Sequence, residues 1–264
     1  MRHVVLAIIF AALLVVTGAF GDEAGLPLEA QPIDAGSDVA EAKQESLHDR
    51  FVQAVLKSRS IKQKNGDRKP YWYECGKRVK TDAKRRQRAS EWATWVLKSI
   101  DEAEAEHGVE LNPWGVLAVA HNESGFNVCA IDLQTREWAV SEGLVKNLQL
   151  TYDRETIYKI ISSKQFQRTR IKADFGPLQV RRKGDISRQL LDQILSLDPG
   201  MIWAAKEMAK RSVNNPVGLN GDRKPHPRPW RLWPTSNPRS TRSFKYDRHI
   251  TRVAKWLGAE TDEI

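Results

Sequence analysis

The stretch from Trp114 to Asn122, WGVLAVAHN, is almost wholly apolar. A helix over it has no polar face to turn to solvent and belongs at the centre of a core, covered by other elements. Asn112 and Pro113 before it read as an N-cap followed by proline at the first helical position. Other segments show helical spacing. Val39–Ser58 carries Leu47, Phe51 and Val55 with Val52 and Leu56 beside them, and Asp82–His107 carries Ala89, Trp92, Val96 and Ile100 with Gly108 as a stop. Asp153–Ser163, Ile186–Leu197, Pro199–Arg211 and Lys245–Leu257 repeat the pattern, the last with Tyr246, Ile250, Val253 and Leu257 on one face. Short strand pairs are expected only around Tyr71–Tyr73 and Trp138–Leu144. The longest loop runs from Asn214 to Ser243 and is rich in Pro, Arg and Trp. The chain reads as mainly α. A hexapeptide, NGDRKP, occurs at Asn65–Pro70 and again at Asn220–Pro225, too short to establish a structural repeat.

The charge is unevenly spread. The 264 residues hold 42 Lys+Arg against 33 Asp+Glu, a formal charge of +9. Met1–Gly21 has one basic residue (Arg2), an apolar run from Val4 to Val16, and small residues at Ala19 and Gly21 suited to signal-peptidase cleavage. That run is short for a bilayer span, so residues 1–21 are expected to be a signal peptide, with an uncleaved anchor as the alternative. The expectation is export, to the periplasm or beyond, with no stable membrane insertion after cleavage. Asp22–Arg50 carries eight acidic and two basic residues, and residues 22–37 read as an acidic linker. Removing the leader's +1 and this stretch's −6 from the total leaves +14 on residues 51–264. Three partners suit such a surface: an anionic wall polymer, a nucleic acid, or solvent alone. Export and the absence of a nucleic-acid motif around the basic clusters weigh against nucleic acid. Cys75 and Cys129 are the only thiols, and in an oxidising compartment a disulfide between them is expected, with two buried thiols as the alternative. Their spacing excludes a zinc site built from cysteine pairs.

The apolar helix closes on His121-Asn122-Glu123-Ser124-Gly125. A carboxyl group at the end of a buried helix is partly desolvated, which raises its pKa and lets it keep a proton near neutrality, as a general acid must. Downstream, Asp174–Val180 reads DFGPLQV, a glycine-containing turn before an apolar residue and a glutamine.

Together these two stretches resemble the soluble lytic transglycosylases of the lysozyme-like superfamily, which cleave peptidoglycan. The family shows an apolar helix ending in Glu-Ser-x-Phe-Asn, then Ala-x-Ser, then Gly-Leu-Met-Gln-Ile. Glu123-Ser124-Gly125-Phe126-Asn127 and Gly176-Pro177-Leu178-Gln179-Val180 are similar to the first and last parts. Glu106–Val109 resembles the entry to the family's first helix. Leu197–Pro199 with Ile202–Met208 resembles a later one, and Tyr246 and Val253 resemble the closing helix. The resemblance implies a goose-type-lysozyme-like helical domain over residues 89–260, preceded by a helical N-terminal extension over 38–88. It departs from the family in three places. Glu123 and Gln179 stand 56 positions apart, so an insertion over residues 133–172 separates them, either a flap over the cleft or a surface elaboration. Ala130-Ile131-Asp132 puts Asp132 where the family has a serine. The family's Ala-Tyr-Asn-Ala-Gly is not recognisable, leaving Asn237 as a stand-in and its tyrosine without a match there.

The resemblance implies cleavage of the bond from N-acetylmuramic acid to N-acetylglucosamine, leaving a 1,6-anhydro end. Glu123 would act as the single acid and base, with no metal and no cofactor. It places Ser124, Phe126, Asp132, Gly176, Leu178, Gln179, Asn237 and Tyr246 at the substrate. Trp92 and Trp114 fall on buried faces, while Trp230 and Trp233 are candidates for glycan contact. Two alternatives stay open: hydrolysis by Glu123 with Asp132 or Asp174 as second carboxylate, and a non-catalytic protein that binds wall glycan. Peptidoglycan is the expected partner in each case, and the oligomeric state is not set by the sequence.

Overall fold

Helix α3 (Pro113–Ser124) organises the computed structural model, which describes residues 45–62, 68–149, 151–168, 173–182, 186–217, 224–234 and 239–264, with backbone alone for 61–62, 68–70 and 180–182. Before it come α1 (Leu47–Ser58), the antiparallel pair β1 (Ser60–Lys62) and β2 (Arg68–Pro70), the tight hairpin of β3 (Tyr73–Glu74) and β4 (Lys77–Arg78), and the long α2 (Asp82–His107). After it come α4 (Leu133–Ser141), α5 (Arg154–Ile161), α6 (Lys164–Arg168), the ribbon β5 (Ala173–Phe175) and β6 (Val180–Arg182), α7 (Arg188–Ile194), α8 (Asp198–Asn214), a 3-10 turn at Pro229–Leu232, and α9 (Thr241–Leu257). The fold is mainly helical. The expected signal peptide (1–21), the acidic linker (22–37) and Asn237 lie outside the described residues, as does part of each NGDRKP copy.

Every residue of α3 from Trp114 to Ala120 is buried. Helix α9 and α2 pack on it, α1 and α8 pack on α2, and the 3-10 turn closes the remaining side. Gly115 makes that last contact possible, because a Cβ there would run into the indole of Trp230. Trp230 is therefore a core residue, 2 % exposed, with its ring N–H donated to Asp247 on α9 at 2.9 Å. The Pro/Arg-rich character of its loop suggests glycan contact, but the loop is drawn inward by this one indole.

The helix signals in the sequence are local and correspond to local structure. Asn112 caps α3 through Gly115 N–H at 2.8 Å, Pro113 follows, and Gly125 ends the helix in the left-handed region with φ 58°. Thr81 and Gly108 do the same for α2, which runs unbroken through residue 88. The strand expectations fail twice: the β5–β6 pair is not among them, and the pair expected around Trp138–Leu144 is absent. Trp138 to Ser141 is helical, not a strand, because Asp132 accepts from Thr135 N–H at 2.9 Å and starts α4. A short apolar run fits either period, and the N-cap decides.

Gln44–Ile264 forms one compact unit, and α1 and the segment joining the two hairpins share its core through Phe51, Val55 and Trp72. A Cys75–Cys129 disulfide ties the β3–β4 turn to the loop after α3, across a sequence separation of 54. Closing a loop of that size removes denatured-state entropy worth about 4 kcal/mol. Replacing both cysteines by serine is expected to lower unfolding free energy by about that amount, and thermal denaturation with and without reductant checks it.

Candidate active site

Glu123 sits in the last turn of α3, where the apolar wrapping stops. Burial raises the pKa of its carboxyl group, and Asp174 across the cleft pushes the same way. Three groups oppose that rise: the Tyr246 hydroxyl, which donates to Oε1; the Asn122 side-chain amide, which donates to the same atom at 3.1 Å; and, more distantly, Arg242. Tyr246 itself is held neutral, since burial and the adjoining carboxylate raise its pKa well above the usual phenol value. His249, one turn further along α9, donates to Asn122 Oδ1 at 2.8 Å and fixes which way that amide faces. Tyr246 and His249 of α9, with Asn122 of α3 itself, thus form the polar cage of the carboxyl group.

The cage meets a cleft of about 540 Å³, whose lining includes Glu123, Ser124, Asn127, Asp132, Asp174 and Gln179 together with Arg59, Tyr71, Tyr73 and Arg136. The first two motifs of the sequence are brought together here despite their separation. Asp132 N–H donates to Asp174 C=O at 3.2 Å, Asp174 N–H returns a bond to Asp132 Oδ2 at 3.0 Å, and Gly176 N–H donates to Ala130 C=O at 3.0 Å. These bonds clip the β5–β6 ribbon to the loop that follows Glu123.

Gly176, with φ 77°, turns that ribbon where any Cβ would strike the carbonyl oxygen of Ile194. Gln179 is also left-handed, φ 51°, and its side-chain amide folds back onto Gly176 C=O at 3.2 Å. Leu178 does not face the cleft. Its side chain is fully buried and its carbonyl accepts from the Trp233 indole at 3.1 Å. Phe126 is likewise in the core, edge-on to Trp92 at 5.2 Å, and that packing holds it at φ 57°. Their part is to fix the loops that carry Glu123 and Gln179. Ser124 lines the cleft while its hydroxyl donates to Ala120 C=O at 2.9 Å.

Asp132 is occupied. Oδ1 accepts from Thr135 N–H, and Oδ2 accepts from the Thr135 hydroxyl at 2.6 Å as well as from Asp174 N–H. This is the work of a cap and a clip. Among the described residues no cluster of His, Cys, Asp and Glu has the makings of a metal site.

The sequence reading missed Arg59, Tyr71, Tyr73 and His249. Arg59 donates to Gly125 C=O at 2.7 Å and to Tyr73 C=O, and its guanidinium lies 5.3 Å from the centre of the Trp72 ring. It is buried deeply enough for its pKa to fall to about 10. Beside it, the Ser58 hydroxyl shares a hydrogen bond with His121 Nδ1 at 2.8 Å, and burial lowers that imidazole to about 4, so it stays neutral. A cation placed against the carbonyl end of α3 is favourable to the helix. No pattern near Arg59 in the sequence marks it, because its partners are backbone carbonyls.

The raised pKa of Glu123 has a consequence for stability. Its folded value lies above the unfolded one, so it contributes stability below about pH 4.5, and that contribution is lost as pH rises through the folded value. Glu123→Gln keeps the shape and removes the charge. It is expected to unfold at higher denaturant than the wild type near pH 8, with the difference gone near pH 4, as chemical denaturation at the two values measures. Comparison with protein-family models, with curated proteins and with solved structures gave no match, so the chemistry of this cleft is argued from its own geometry.

Proposed function

We propose that this chain is an exported lytic transglycosylase with a lysozyme-like catalytic domain. In this reading it cleaves peptidoglycan between N-acetylmuramic acid and N-acetylglucosamine, using Glu123 alone as acid and base. The observation that carries this reading is the buried carboxyl group at the end of α3, its pKa raised by burial and its Oε1 bonded by Tyr246, at the head of an open cleft. The resemblance of Glu123–Asn127 and Gly176–Val180 to the family's motifs supports it, as does the meeting of those segments in one cleft.

Protonated Glu123 gives its proton to the glycosidic oxygen as the bond to muramoyl C1 breaks. The carboxylate left behind then takes the proton of the muramoyl 6-hydroxyl, whose oxygen attacks C1 and closes the anhydro ring. Glu123 ends protonated again, and no water is consumed. Tyr246 suits both stages, because its hydroxyl stabilises the carboxylate between them without itself ionising. The cycle asks nothing of Asp132, whose oxygens already hold Thr135 and Asp174.

The disulfide supports export, since such bonds persist in oxidising compartments. The +14 on residues 51–264 supports capture by an anionic wall. Digestion of purified sacculi, with mass analysis of the released muropeptides, tests the reading. Anhydro ends are expected from the wild type, and on the order of 10²-fold fewer from Glu123→Gln. Reducing muramic-acid ends would instead make Asp174 a second carboxylate in a hydrolase. Retained sacculus binding with no release would leave a wall-binding protein.

A further inference from the structure

Helix α9 has two opposed faces. Its inner seam, with Asp247, Ile250, Ala254 and Leu257, is buried against the core beside α3. Its outer face carries Lys245, Arg248, Arg252 and Lys255, all exposed. Spaced by three, four and three positions, these cations form one stripe about 15 Å long, opposite Ile250. The only acid in α9 is Asp247, which is bonded on the inner side to Arg228 at 3.3 Å and to Trp230 at 2.9 Å. Among the described residues none of the four cations forms an ion pair, and Lys255 meets the Thr261 hydroxyl at 3.5 Å. Arg242, one turn before the stripe, acts instead on Glu123. The nearest acids in sequence, Glu260 and Asp262, follow the end of the helix.

Two exposed aromatic residues share this outer half: Phe244, 46 % exposed, and Trp256, 40 % exposed. Each ring brings a further cation. Arg231 lies 3.6 Å from the centre of the Phe244 ring, and Lys57 of α1 lies 5.1 Å from that of Trp256.

Like charges three and four residues apart repel, so the stripe works against the helix that bears it, and an anionic partner would offset that cost. Shape and the two rings select the partner. The outside of a helix is convex, and a convex row of cations meets a plane of phosphates along its whole length. A bilayer surface supplies that plane, and just beneath it an interfacial layer that accepts aromatic rings. A dissolved phosphate polymer supplies the charge and nothing for Phe244. No helix among the described residues is long and apolar enough to cross a membrane, and this contact stays at the headgroups.

We propose that the outer face of α9 is a docking surface for an anionic phospholipid bilayer, with Lys245, Arg248, Arg252 and Lys255 on the headgroups and Phe244 and Trp256 at the interfacial layer. The inference does not rest on the sugar chemistry of the cleft. It bears on where that cleft works, because α9 also carries Tyr246 and His249 into the cage of Glu123. A docked bilayer stands about one helix diameter, 10–12 Å, from that cage.

Co-sedimentation of the chain beginning at Asp22 tests this, since Val4–Val16 would itself seek a bilayer. The vesicles are phosphatidylcholine alone and phosphatidylcholine mixed evenly with phosphatidylglycerol. Binding is expected to the mixed vesicles and not to phosphatidylcholine, and it should fall as salt is raised. Lys245→Gln, Arg248→Gln and Arg252→Gln together should lower partitioning on the order of 10²-fold at low salt. Lys80→Gln, Lys84→Gln and Arg86→Gln remove the same charge from another surface and should lower it only a few-fold. Phe244→Ser should weaken binding a few-fold while leaving the salt dependence unchanged. Arg252→Glu alone, expected to cost about tenfold, decides the matter where the triple variant melts early. No binding to mixed vesicles, equal losses in the two triple variants, or release of bound protein by polyglycerol phosphate or duplex DNA at matched phosphate concentration overturns the proposal.

Discussion

Burial of α3 on all sides governs where chemistry can occur in this protein. A helix wrapped by α2, α9 and the Trp230 turn reaches solvent only at its ends. The N-terminal end is closed, since the Asn112 side chain caps the helix and also donates to Glu263 C=O at 2.6 Å. The C-terminal end is where His121, Asn122, Glu123 and Ser124 replace the apolar run. Glu123 is thus placed half in the core and half in a cleft, and its environment follows. Desolvation favours the proton, and the negative end of the helix dipole favours it as well. The hydroxyl of Tyr246 limits the rise, so the group is held between a permanent acid and an ordinary carboxylate.

The second wall of the cleft comes from a part of the chain that the motifs do not cover. The region before α2 joins the end of α3 by three different bonds: the Cys75–Cys129 disulfide, Arg59 to Gly125 C=O, and Ser58 to His121. Each alone is modest, but they converge on the few residues around Glu123. Burying Arg59 is unfavourable by itself, as its lowered pKa records, and two carbonyl partners with the Trp72 face offset part of that. The hairpins and α1 are therefore components of the cleft rather than an appendage to it.

What the sequence disclosed divides along the same line. The capped ends of α2 and α3, the buried character of α3 and the desolvation of Glu123 at its end were legible because each signal lies within a few residues of what it specifies. The disulfide was legible because only two thiols exist. The partners of Glu123 were harder. Tyr246 lies 123 positions away, and the family resemblance places it at the substrate in a closing helix, not as the partner of Glu123. Trp230 looked like a surface aromatic because its loop is rich in Pro and Arg, and only the missing Cβ of Gly115, 115 residues upstream, makes room for it inside. Trp138 misled because a short apolar run satisfies both periods until its N-cap is recognised. Local physics is written locally, and packing between distant segments is not.

Of the two carboxylates that share the cleft with Glu123, Asp132 is the one engaged in holding the fold. A second carboxylate that is to activate water or attack a sugar needs an oxygen directed at the scissile bond and not already saturated. Asp132 accepts from a backbone N–H and a hydroxyl of Thr135 and from Asp174 N–H, so withdrawing it for catalysis would uncap α4 and unclip the β5–β6 ribbon together. Those are the bonds that bring Gln179 into the cleft beside Glu123. A serine in that position could do part of this work, but a carboxylate does it with two acceptor oxygens, holding a helix and a ribbon at once.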